Sequence, residues 1–311
     1  MADVLIAAEL HELVGDDPVP GHAVHWFGAQ EPTPKGDQEA IVPLLSRWMG
    51  GTEFKNLPKL KIVANCATGV DNIDLVAAEL RGVIVTNTPH VLTESTADLT
   101  WALILAVARR LKEGMHLVAQ GAWEGWHPTL LLGDELHGKT LGIIGAGRIG
   151  QAVGRRGRGF GLRILYSGRN RKADFEQETG ASRTELTRLL GESDVVTIHV
   201  AATPETKGFM NRERFTGMKR GSMFINTARG DLVREPALLE ALEQGPLSGA
   251  GLDVFPEEPA VNPALIRHPR VVTLPHLGSA TWETRHAMAD LALRNVRAVL
   301  AGDAPLTPVF R

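Results

Sequence analysis

The stretch Thr140–Gly159 reads TLGIIGAGRIGQAVGRRGRG, and its reading decides the fold. Thr140–Ile144 is a short apolar run with the character of a buried strand, and Ile149–Phe160 has helical character. Between them Gly145-Ala146-Gly147-Arg148-Ile149-Gly150 keeps the spacing G-x-G-x-x-G. With 33 glycines in 311 residues the spacing alone is weak. A strand leading in and a helix leading out make it the arrangement that a dinucleotide pyrophosphate needs. Gly145 permits the tight turn, Gly147 lets the backbone approach phosphate, and Gly150 lets the helix pack on the strand. Arg148 and Ile149 open that helix, whose first N–H groups are free to bind the anion.

The following strand, Arg163–Tyr166 (RILY), selects between dinucleotides. A ribose 2′-hydroxyl is usually held by an acid at the end of this strand. Here the strand runs into Ser167-Gly168-Arg169-Asn170-Arg171-Lys172, and no acid occurs between Glu135 and Asp174. A 2′-phosphate would be repelled by a carboxylate and welcomed by a hydroxyl and a guanidinium. The segment therefore favours NADPH over NADH, with Ser167 and Arg169 as the leading contacts and Arg171 next.

Outward from this unit, strand and helix alternate along the chain. Val4–Ala8, Ala23–Phe27, Ile41–Leu45, Lys61–Asn65 and Val83–Thr86 read as strands, and Ile73–Leu80 as a helix closed by Gly82. From Thr93 an uninterrupted helical pattern, ADLTWALILAVARRLKEGMHLVAQG, follows the possible caps Thr93, Ser95 and Thr96. It is apolar nearly all round in its first half, as in a helix buried on several sides. A second α/β series occupies the rest, ending in a helix from about Thr281 to Leu300. The expected class is α/β, with two Rossmann-like doubly wound parallel sheets.

Composition agrees with a globular chain: 43% of residues are hydrophobic and 22% charged. Lys and Arg number 33 against 36 Asp and Glu, a net charge of −3, which argues against a dedicated nucleic-acid binder. One cysteine excludes an internal disulfide and a cysteine-rich metal site. The start, MADVLIAAEL, lacks the basic region and cleavage site of a signal peptide, and no apolar run is long enough for a membrane span. A cytoplasmic protein with no metal, membrane or nucleic-acid partner is expected.

Four charged residues follow apolar strands of the second series, where open α/β sheets place their ligands. Arg229 lies in Asn226-Thr227-Ala228-Arg229-Gly230, Asp253 and Glu258 in Gly251–Pro259, and His276 in Pro275–Ser279. An arginine fork suits a carboxylate, and a His beside a carboxylate is an acid/base device. Reduction of a keto acid needs an anion clamp, a proton donor and a hydride donor. Arg229, His276 paired with Glu258, and NADPH would supply them.

The chain resembles the D-2-hydroxyacid dehydrogenase family, nearest its glyoxylate/hydroxypyruvate reductase branch. The likeness is carried by Thr68–Asp74 (TGVDNID), Asn87–Asp98, Gly145–Gly150, Asn226–Gly230, Gly251–Pro259 and Pro275–Ser279, in the family's order along nearly the whole chain. Gly121–Pro128 (GAWEGWHP) and Ser167–Arg169 point to its NADPH-preferring reductases. The resemblance implies a substrate domain of residues 1–97 and 285–311, an NADP-binding domain of residues 98–284 inserted into it, an active site in the cleft, and a homodimer formed through the helix near 99–118. It also implies roles. Arg229 binds the substrate carboxylate or keto oxygen, Glu258 tunes His276, and His276 donates the proton. Backbone N–H groups around Thr68 and Gly69 hold the carboxylate, and Asp253 holds the nicotinamide carboxamide. Thr96, Thr203, Thr206, Thr227, His276 and Gly278 complete the cofactor set.

The chain departs from that pattern in places. Thr68 stands where small apolar residues are commoner, and its hydroxyl is read either as a substrate contact or as facing solvent. Val200-Ala201-Ala202-Thr203-Pro204 replaces a more usual Pro-Leu pair. Arg47 or Trp48 falls where the family borders its substrate pocket, with a core role the stronger reading for Trp48, and Trp126 is read either as a reach into a partner's active site or as packing. Cys66 reads as a buried, inert thiol. Other uses of the scaffold weigh against particular residues. Formate dehydrogenases pair their His with Gln where this chain has Glu258, and phosphite dehydrogenases carry Lys in place of Thr68. Phosphoglycerate dehydrogenases usually prefer NAD. A dinucleotide-sensing corepressor would retain the Arg, Glu and His but would add an extension with partner motifs.

Overall fold

The computed structural model describes residues 1–28 and 31–309. The chain divides into two compact units, one of Met1–Leu92 with Ser279–Arg311 and the other of Thr93–Gly278. The breaks fall at 92/93 and 278/279 rather than at the expected 97/98 and 284/285. The first falls at the start of Thr93–Ala108, which is one continuous helix. The second is displaced because Gly278 is hydrogen-bonded into the second unit through Asp253 and Thr96.

In chain order the elements of the first unit are β1 (Asp3–Ala7), α1 (His11–Val14), β2 (Ala23–Phe27), β3 (Ala40–Val42), α2 (Gly51–Asn56), β4 (Ile62–Ala64), α3 (Leu75–Leu80) and β5 (Ile84–Thr86). The second unit holds α4 (Thr93–Ala108), α5 (Leu111–Ala119), β6 (Thr140–Ile144), α6 (Arg148–Gly159), β7 (Arg163–Ser167), α7 (Ala173–Thr179), β8 (Ser182–Arg183), α8 (Leu186–Glu192), β9 (Val195–Ile198), α9 (Arg212–Thr216), β10 (Ser222–Asn226), α10 (Glu235–Glu243), β11 (Leu247–Leu252), α11 (Pro263–Arg267) and β12 (Val271–Thr273). The chain then returns to the first unit as α12 (Trp282–Ala301).

The first unit is a five-stranded parallel sheet in the order β2-β1-β3-β4-β5. Its inner strands are apolar on both faces, as parallel strands covered by helices must be. Val4, Ile6, Ile41, Val42, Ile62 and Val63 are fully buried. On α12 the residues Met288, Leu293 and Val296 join the same core. Asp74 caps α3, its Oδ1 accepting the Ala77 N–H at 2.9 Å, so this helix starts later than the expected Ile73.

The second unit is a seven-stranded parallel sheet in the order β12-β11-β10-β9-β6-β7-β8. The order reverses at β6, which pairs with β7 on one side and β9 on the other. Ligand sites of open parallel sheets lie at the carboxyl ends of strands beside such a reversal. Every second-unit candidate residue except Thr96 lies at or after a strand end of this sheet.

The long helix expected from Thr93 onward is two helices. Arg110 adopts a left-handed conformation with φ 54°, and α5 begins after it. The break is stabilised locally. Arg110 Nε and Nη2 donate to the two oxygens of Glu113 at 2.8 and 2.6 Å, and the Asp134 N–H bonds the Ala108 carbonyl at 2.8 Å. The Asp134 N–H thus takes up a carbonyl that a continued helix would have bonded.

Candidate active site

The glycine loop has the geometry its spacing demanded. Gly145 sits at φ +93°, and a Cβ there would meet the Val200 side chain and the His199 carbonyl below 3 Å. A Cβ at Gly150 would strike the Gly145 carbonyl, so α6 approaches its strand only because that position is bare. Gly147 is the N-cap of α6, and nothing lies within 4 Å of where its Cβ would be. No side chain caps the helix, which leaves its first N–H groups and positive dipole end available to an anion. The residues present therefore fit a dinucleotide pyrophosphate.

At the end of β7, the Ser167–Arg169 turn lies against this loop: a Cβ on Gly168 would sit 3.9 Å from the Ala146 nitrogen. Arg169 is exposed and makes no ion pair among the described residues. Arg171 is paired within the chain. Its Nε donates to Glu176 Oε2 at 2.7 Å, and the Tyr166 hydroxyl donates to Oε1 of the same carboxylate at 2.6 Å. The carboxylate missing from the sequence near Ser167 is thus supplied by α7, and it neutralises Arg171. Hydrogen bonds from Arg171 and Tyr166 hold Glu176 below its ordinary value.

On the other side of β6, three loops build an acid/base group. Oε2 of Glu258 is 2.7 Å from Nδ1 of His276, and Oε1 accepts the Phe255 N–H at 2.9 Å. Burial alone would raise the Glu258 carboxyl. Hydrogen bonds from His276 and Phe255 and the charges of His276 and Arg229 outweigh it, so the group lies below its ordinary value. An ionised Glu258 only accepts, which places a proton on Nδ1 and leaves Nε2 to exchange one with a ligand.

His276 is held at φ +56°, a left-handed conformation uncommon for a side chain of this size. Asp253 enforces it. This fully buried carboxylate accepts the Leu277 N–H at 2.7 Å through Oδ1 and the Gly278 N–H at 2.8 Å through Oδ2. The His276 N–H bonds the Asp253 carbonyl at 2.9 Å, and the Thr96 hydroxyl donates to the Gly278 carbonyl at 3.0 Å. Burial pushes the Asp253 carboxyl up, against the two N–H bonds.

Arg229 follows β10 and is positioned by Asn226, whose side chain accepts the Ala228 N–H at 3.0 Å and donates to the Arg229 carbonyl at 2.8 Å. Gly230 brings this loop onto the Glu258 loop: a Cβ there would overlap the Phe255 carbonyl group and the Pro256 nitrogen. The structure thus assembles Arg229, Glu258 and His276 within one unit, a grouping that chain spacing alone could not show. A cation, an imidazole with a fixed tautomer and a carboxylate behind it can bind an anion and move a proton beside it.

Within the first unit, taken by itself, a polar loop follows β4. Asn65 Nδ2 donates to the Gly69 carbonyl at 2.9 Å and to Asn72 Oδ1 at 3.0 Å, while Asn87 Nδ2 donates to the Thr68 carbonyl at 2.7 Å. With those carbonyls engaged, the N–H groups of Thr68 and Gly69 carry no partner among the described residues.

A model of the D-isomer specific 2-hydroxyacid dehydrogenase NAD binding domain matches residues 101–278, ending where the second unit ends. The chain belongs to that dehydrogenase family. Like other members, it is an oxidoreductase acting on CH–OH groups with a nicotinamide dinucleotide. The glyoxylate reductase of Thermococcus kodakarensis is 49% identical over 277 residues, which cover 88% of this chain and 83% of the relative. A Thermus thermophilus structure aligns with TM-score 0.89 and 42% identity over 99% of each chain. An NADPH-dependent glyoxylate/hydroxypyruvate reductase of Sinorhizobium meliloti, solved with NADP and malonate, aligns with TM-score 0.89 and 33% identity over 99% of this chain and 97% of its own.

Several residues of this dehydrogenase also have partners within the chain. The Thr227 hydroxyl is buried against Thr100 Oγ1 at 2.8 Å, and Thr96 serves the Gly278 carbonyl. Thr203 and Thr206 shape the turn after β9, where Thr206 Oγ1 accepts the Thr203 N–H at 2.8 Å. The Thr68 hydroxyl donates to the Thr88 carbonyl at 2.8 Å. Trp48 is 56% exposed and is not a core residue. Arg47 is a buried staple, donating to the Gly28 and Glu31 carbonyls and packing over Phe27. Cys66 is buried, and desolvation pushes its thiol up to about 12. Asn226, Asn65, Asn72 and Asn87 were not singled out from the sequence, although each lies just beyond a strand or within a quoted motif.

Proposed function

We propose that this dehydrogenase reduces small 2-keto acids, glyoxylate and hydroxypyruvate, to D-2-hydroxy acids, with NADPH preferred over NADH. The observation that carries the proposal is the Glu258–His276 pair at 2.7 Å, with Arg229 positioned beside it. When bound, the reduced nicotinamide supplies a hydride to the keto carbon. The residues of this chain do the rest. Arg229 holds the substrate carboxylate or keto oxygen with its fork. Nε2 of His276 gives its proton to the keto oxygen, and Glu258 stabilises the imidazolium beforehand and sets the tautomer. The N–H groups of Thr68 and Gly69 bind the substrate carboxylate.

The cofactor is held by Gly145, Gly147, Arg148, Ile149 and Gly150 at its pyrophosphate and by Ser167 and Arg169 at its 2′-phosphate. Thr203, Thr206 and Gly278 lie along its path. Asp253 and Thr96 act by fixing the His276–Gly278 loop. Exposed apolar residues along α5 and beyond support a homodimer: Met115, Val118, Trp123, Trp126 and Leu132 are 57–83% exposed. Among the described residues no helix is long and apolar enough to cross a membrane. Cytoplasmic residence is part of the proposal.

Steady-state kinetics on a panel of 2-keto acids with both cofactors tests this reading. Glyoxylate and hydroxypyruvate should give the highest kcat/KM, and NADPH should exceed NADH at least tenfold. Activity confined to phosphorylated or bulky acids, or to NADH, would replace it.

A further inference from the structure

The short edge strand β8 carries a residue that the reading of the cofactor loop did not include. β8 pairs in parallel with β7, with Arg183 opposite Tyr166. From there the Arg183 side chain reaches over the carboxyl end of β7. Its Nε and Nη2 donate to the Gly168 carbonyl at 3.2 and 3.0 Å, and Nη2 also donates to the Arg169 carbonyl at 3.2 Å. Its guanidinium thus holds two successive carbonyls of the turn that displays Ser167 and Arg169. In a trans peptide the N–H points away from the carbonyl. Fixing those two carbonyls on Arg183 therefore directs the N–H groups of Arg169 and Asn170 to the opposite side of the turn.

The far end of the turn is fixed separately. The Lys172 N–H bonds the Tyr166 hydroxyl at 2.8 Å, and that hydroxyl with Arg171 closes on Glu176. Arg171 is therefore spent on holding the turn's exit, while Arg183 holds its apex. The apex is the part that lies against the glycine loop at Ala146.

We propose that Arg183 is a specificity-positioning residue for the cofactor's 2′-phosphate, holding the Ser167–Arg169 turn in its anion-binding form and adding a positive charge beside it. The proposal rests on the NADPH reading given above. It assigns the discrimination to Ser167, Arg169 and Arg183, and it leaves Arg171 a scaffold role. A lysine at 183 would keep the charge but could not fork across two carbonyls.

The test is calorimetric binding of 2′,5′-ADP and 5′-AMP, two probes that differ only in the 2′-phosphate, to the full-length protein. Arg183→Met should weaken 2′,5′-ADP roughly tenfold, the loss of one or two charge-assisted hydrogen bonds, and leave 5′-AMP within about twofold. Arg183→Lys should recover less than half of that loss on a logarithmic scale. Equal weakening of both probes by Arg183→Met would overturn the proposal in favour of a general structural role. Full recovery by Arg183→Lys would also overturn it, because charge alone would then suffice. Arg169→Ala separates the two levels. If it discriminates between the probes and Arg183→Met does not, this inference fails while the NADPH reading stands. If neither does, both fail.

Discussion

Nδ1 of His276 lies 2.7 Å from Oε2 of Glu258, and the second oxygen of that carboxylate is held by the Phe255 N–H. The carboxylate is thus anchored to the backbone before it meets the imidazole. Glu258→Gln keeps the shape but removes the charge that favours the imidazolium. It should lower kcat/KM for keto-acid reduction roughly 10²-fold. The carboxyl is depressed in the folded protein, so its stabilisation is complete above the ordinary value of 4.5 and is lost as pH falls through the lower folded value. Wild type should therefore lose an acid-sensitive increment of stability that Glu258→Gln lacks. Denaturation midpoints at several pH values measure it.

Asp253 predicts a different phenotype. Its two oxygens take the Leu277 and Gly278 N–H groups in a fully buried setting. An amide at this position sets an N–H₂ against one of those donors. Asp253→Asn should cost about 1–3 kcal/mol of stability and reduce kcat, because the strained His276 conformation loses its clamp. Thermal denaturation and single-turnover rates check the two effects separately.

Cofactor choice should follow the end of β7. Ser167→Asp with Arg169→Ala should reverse the ratio of kcat/KM for NADPH over NADH, since a carboxylate repels the 2′-phosphate and accepts the ribose hydroxyl. Arg171→Ala should change that ratio by no more than about threefold, since its guanidinium is already committed to Glu176 and exposed ion pairs contribute little.

Gly230 is the contact at which the Arg229 and Glu258 loops meet. An alanine there would drive a methyl into the backbone of Phe255 and Pro256. Gly230→Ala should destabilise the protein by about 1–3 kcal/mol and cost activity through both loops. Chemical denaturation alongside kinetics tests it.

The extent to which this was legible in the sequence follows from length scale. β6 and α6 announced themselves because the glycine spacing is rigidly coupled to strand and helix. The α/β alternation was legible because parallel strands are continuous apolar runs. The break at Arg110 was not, because no proline or glycine marks it; the cause is a local fork onto Glu113 and a distant N–H from Asp134. Elements such as α7 and β8 span seven and two residues, too short for periodicity to register. They carry Glu176 and Arg183, which is why the surroundings of Ser167 were read incompletely. Arg229, Glu258 and His276 were found individually through their strand-end positions. Their meeting depends on Asn226, Gly230 and Asp253, whose effects pass through the backbone and leave no pattern in the chain.

The most direct test of the account is the initial rate of glyoxylate-dependent NADPH oxidation by wild type and by His276→Ala, with NADPH affinity measured alongside. The account predicts robust turnover by wild type, a loss of about 10²- to 10⁴-fold in the variant, and a far smaller change in cofactor affinity. Equal rates in the two proteins, or no turnover of glyoxylate by wild type, would contradict it.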